Sequence, residues 1–137
     1  MDTFYEPLLQ LETFVQAGEK LAGNEGLLLL TGCVESQKTH LMYSLGRGWQ
    51  VKLILTYSEL KAKEIYEEYE ALGEEAFYYP AKDFLFFHAD IQGNELLKQR
   101  MTAVSRLLSG KAAVIVTTLD GCMDPLLPFE KLKELVL

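Results

Sequence analysis

Apolar residues along this chain alternate between two spacings, and together they predict an α/β order of elements. From Pro7 to Ala22 the positions Leu8, Leu11, Phe14, Val15 and Leu21 recur at helical spacing, which predicts an amphipathic helix. Gly23-Asn24 closes it. Leu27 to Thr31 is a short continuous apolar run ahead of Gly32, the pattern of a strand buried on both faces. Ser36 to Leu45 predicts a short helix ended by Gly46 and Gly48, and Val51 to Thr56 a second buried strand. Ser58 is placed to cap a helix over Glu59 to Leu72, with Gly73 behind it as a C-cap. Its apolar stripe is Leu60, Ile65, Tyr69 and Leu72. Ala76 to Tyr79 predicts a third strand, ended by Pro80, and an aromatic-rich loop follows from Ala81 to Gly93. Asn94 then caps a long helix with Leu97, Met101, Val104, Leu107 and Leu108 on one side, and Gly110 ends it. Ala112 to Val116 predicts a fourth strand, after which Pro125 and Pro128 break the chain before a short closing segment, Phe129 to Leu137.

Strands alternating with helices imply parallel crossovers, so the expected fold is a doubly wound, mostly parallel sheet with helices on both faces. Its strands are expected near residues 27–31, 51–56, 76–79 and 112–117. The chain has 137 residues, enough for a single α/β domain with its own core. Because Leu132 to Leu137 runs on apolar and unpunctuated, the domain is expected to be a piece of a much longer multidomain protein. Apolar residues make up 49% and charged residues 24%, a balance that excludes a disordered chain. The longest apolar run, Leu27 to Leu30, is far too short to span a bilayer. Residues 1–10 hold Asp2 and Glu6 but no Lys or Arg, unlike a secretory signal, so the expected compartment is the cytoplasm.

A net charge of −7 argues against autonomous nucleic-acid binding, because phosphate neutralisation supplies most of that affinity. Cys33 and Cys122 have no CxxC spacing and no nearby His pair, and read as two reduced thiols.

One motif carries chemistry. The first expected strand runs into Gly32-Cys33-Val34-Glu35-Ser36-Gln37-Lys38-Thr39, and a phosphate-binding loop reads G-x-x-x-x-G-K-[ST] between a strand and a helix. Gly32, Lys38 and Thr39 match; the second glycine is replaced by Gln37. In a working loop the backbone N–H groups curl around the phosphates, and that glycine lets the main chain approach with no Cβ in the way. Gln37 puts a side chain there, and Glu35 adds a carboxylate that repels polyphosphate. The loop is therefore expected to be vestigial. The candidate magnesium-binding strand, Val114 to Asp120, is interrupted by Thr117 and Thr118 and is a poor match.

Other groups carry less. His40 and His88 are isolated, and no Ser or Cys pairs with either as a nucleophile. Glu64, Glu67, Glu68 and Glu70 read as a solvated helix face. Phe84, Phe86 and Phe87 could stack on bases, but in an acidic domain they read as core or as a domain interface.

The succession of motifs resembles a known family. It runs through Ser36-Gln-Lys-Thr39, Tyr79-Pro-Ala-Lys-Asp83, Phe86-Phe-His-Ala-Asp-Ile91, a helix with Glu95 and Arg100, Val114-Ile-Val-Thr-Thr-Leu119 and Pro125-Leu-Leu-Pro128. In that order these segments resemble the N-terminal, UvrB-like region of bacterial transcription-repair coupling factors, over about residues 18–128. The resemblance implies a helicase-like (RecA-type) P-loop fold that has lost nucleotide hydrolysis. It implies no cofactor for this region; ATP and magnesium would belong to a motor further along the parent chain. The parent would be a DNA translocase that displaces stalled RNA polymerase and recruits excision repair. Its partners would be duplex DNA, RNA polymerase and UvrA, the last mainly through the following domain. This region would pack against its neighbouring domains and touch no membrane. The span from Phe77 to Asp90 is too short for the DNA-clamping aromatic hairpin that UvrB carries there. The competing expectation is a genuine nucleotide-binding half of a helicase motor or a small P-loop NTPase, and position 37 discriminates the two.

Overall fold

Val51–Thr56 (β1), Ala76–Tyr79 (β2) and Ala113–Thr118 (β3) form one parallel open sheet, in the order β1-β3-β2. They belong to a computed structural model that describes residues 3–23, 26–82, 91–126, 128 and 130–132, with the backbone alone at 91–94. Register pairs Val51 with Ala113 and Thr56 with Thr118 on one side of β3, and Ala76 with Val114 and Tyr79 with Thr117 on the other. β3 is buried at every residue, which is why its sequence is an almost unbroken Ala-Val-Ile-Val run.

The chain divides into two units, Met1–Gly48 and Trp49–Leu137. In the second, helix α3 (Glu59–Ala71) covers one face of the sheet and helix α4 (Ile91–Leu108) the other; a five-residue helix, α5 (Leu119–Met123), follows β3. Alternation along the strands assigns the faces. Ile54, Tyr78, Val114 and Val116 lie on the side of α3, with its buried Ala62, Ile65 and Tyr69. Tyr79, Ala113 and Ile115 pack with Ala103 and Val104 of α4 and with Leu132. α4 reaches β2 and β3, and Val51, Leu53 and Leu55 of β1 remain about half exposed on that side.

Local chemistry explains the ends of α3. Ser58 Oγ accepts from the Lys61 N–H at 3.2 Å. Gly73 sits at φ +82, and the N–H groups of Gly73 and Glu74 return to the carbonyls of Glu70 and Tyr69, closing the helix.

In the first unit a 3₁₀ turn, Glu6–Gln10, precedes helix α1 (Glu12–Ala22), and helix α2 spans Glu35–Leu45. The single helix expected over Pro7–Ala22 is thus two pieces, broken at Leu11, whose ψ of 110° is extended. Phe14 and Ala17 are the buried residues of α1. The larger correction concerns Leu27–Thr31. Three strands pair among the described residues, not four, and 27–31 has no ladder. Leu27 and Leu29 are 94% and 79% exposed, the opposite of a buried strand. An apolar run by itself carries no information on what pairs with it. No described helix is long and apolar enough to cross a membrane.

Candidate functional site

Gly32 to Thr39, the partial match to a phosphate-loop pattern, run through the turn into α2. Gly32 takes φ +80, where a residue with a Cβ is strained. Gln37 turns back on the loop: its N–H donates to the Val34 carbonyl at 3.0 Å, and its Oε1 accepts from the Val34 N–H at 3.4 Å. Lys38 Nζ forms an ion pair with the Glu35 carboxylate of the same turn. Thr39 is buried, while Gln37 and Lys38 are exposed. Gln37, Lys38 and Thr39 lie in the first turns of α2 and Gly32 three residues ahead of it, and residues 26–31 form no strand leading into them.

A second polar cluster lies in the second unit, where β2 and β3 end; in open α/β sheets this end is where crevices form. Glu59, in the first turn of α3, accepts at Oε1 from the Ala81 N–H (3.2 Å) and the Thr118 hydroxyl (2.6 Å), and at Oε2 from the Tyr78 hydroxyl. Arg100 of α4 is buried. It donates to the Pro80 carbonyl, to Asp124 Oδ2 at 3.0 Å and to the Tyr79 hydroxyl at 2.6 Å, and its guanidinium lies 4.0 Å from the centre of the Tyr79 ring. Asp124 also accepts from the Lys82 N–H at 2.5 Å. Thr117 Oγ1 donates to the Tyr79 carbonyl at 2.6 Å, and Thr118 Oγ1 accepts from the Gly121 N–H at 3.1 Å, capping α5.

These bonds hold the chain leaving β2 and the helix following β3 to one another. Burial, and then the hydrogen bond to Glu59 and its charge, push the Tyr78 phenol well above its ordinary value. Burial raises Tyr79 as well, against the lowering effect of Arg100. Both phenols are protonated at neutral pH, so neither offers a base there. The cluster is a structural clip.

The remaining candidates are dispersed. His40 Nε2 lies 2.5 Å from the Phe4 carbonyl. Cys33 and Cys122 are free thiols, the second exposed. Asp120 is exposed on α5 rather than at a strand end. Phe84, Phe86, Phe87 and His88 lie outside the described residues. Among the described residues no three His, Cys, Asp or Glu side chains converge on a metal position.

Sequence reasoning missed the clip at Glu59, Arg100 and Asp124. One signal was present: Arg100 is three residues after Leu97 and four before Val104, so a cation sits on the apolar stripe of its helix.

The fold is an α/β architecture with a three-stranded parallel open sheet flanked by helices. Comparisons with protein families, with characterised proteins and with solved structures found no match.

Proposed function

We propose that this chain is a non-catalytic module, the UvrB-like N-terminal region of a transcription-repair coupling factor, with a vestigial phosphate loop. One observation carries the absence of nucleotide chemistry: the loop satisfies itself. Lys38, the cation that would reach the β- and γ-phosphates, is paired with Glu35, and Gln37 is folded onto Val34 where backbone would have to meet phosphate. The Lys38–Glu35 pair is exposed and worth at most about 1 kcal/mol, so it alone would yield to a ligand. The carboxylate and the Cβ of Gln37 would not leave with it. The order of motifs from Ser36 to Pro128 supports the family reading. On that reading the chain works in the cytoplasm as a scaffold for neighbouring domains of an ATP-driven DNA translocase.

The test is calorimetry of the chain with magnesium-ATP. Binding is expected to be no tighter than about millimolar, roughly 4 kcal/mol, with no hydrolysis. Micromolar affinity lost in Lys38→Ala would overturn the proposal and favour a nucleotide-binding motor half. Gln37→Gly alone is expected to yield no ATPase, because Asp120 is on a helix and not at a strand end.

A further inference from the structure

We draw no further inference here: the strongest candidate, the apolar face that Val51, Leu53 and Leu55 of β1 leave about half exposed on the side of α4, carries none because nothing in the structure shows what covers it.

Discussion

At Arg100 three acceptors, the Pro80 carbonyl, Asp124 and the Tyr79 hydroxyl, converge on one buried guanidinium. Removing the cation leaves a carboxylate and a carbonyl with a lost partner, and such a loss in the interior costs about 3–5 kcal/mol. Arg100→Leu is accordingly expected to lower stability by about 3 kcal/mol in urea unfolding, while Asp124→Asn, which keeps an acceptor, should cost about half as much. Gly121 is the other constrained position. A Cβ there would lie 2.4 Å from Thr117 Oγ1 and 3.2 Å from the Tyr79 carbonyl oxygen. Gly121→Ala should therefore destabilise, and Thr117→Ala should relieve part of that loss, so the double variant loses less than the sum of the two single changes. The raised phenols set a pH dependence. Above about pH 10, the ordinary tyrosine value, the unfolded chain releases the Tyr78 and Tyr79 protons while the folded chain keeps them. Stability is full below that point and falls as pH rises beyond it. Denaturant melts between about pH 8 and 11, with tyrosinate absorbance followed in parallel, check this; a melt unchanged across the range would contradict it.

Among the elements, α3 was the most legible. Ser58 and Gly73 are local signals, since a cap needs only a side-chain oxygen and a left-handed stop only the absence of a Cβ. Ser58→Ala is expected to cost about 1 kcal/mol, measurable by the same urea melts. β1, β2 and β3 were legible for a different reason. A strand buried in a parallel sheet has little room for polar residues, so β3 reads as a bounded apolar run; β1 has the same composition and was expected to be buried too, but Ile54 is its one buried residue. The same rule misplaced Leu27–Thr31, which has the composition of a strand but no partner among the described residues. The break at Leu11 was also hidden, because 3₁₀ and α turns carry nearly the same apolar spacing over five residues.

On the scale of the whole molecule, charge is the property with the clearest consequence. At −7 the chain is expected to bind duplex DNA only weakly and with no preference for lesions. Anisotropy at about physiological salt that gave submicromolar affinity for damaged DNA would restore a UvrB-like contact role. The grouping of Gln37, Lys38 and Thr39 was legible because they are consecutive and lie in the first turns of α2, with Gly32 three residues ahead of that helix. The Glu59–Arg100–Asp124 clip was not, because its members come from α3, α4 and the end of α5. By itself the sequence determined the alternation of helices with β1, β2 and β3 and the caps of α3, both of which depend on neighbours within a few residues. The tertiary structure alone decided that β3 lies between β1 and β2 and that Arg100 is satisfied inside the fold. Strand order and side-chain convergence are set by which apolar faces meet and which buried polar groups find partners, and neither is written in spacing along the chain.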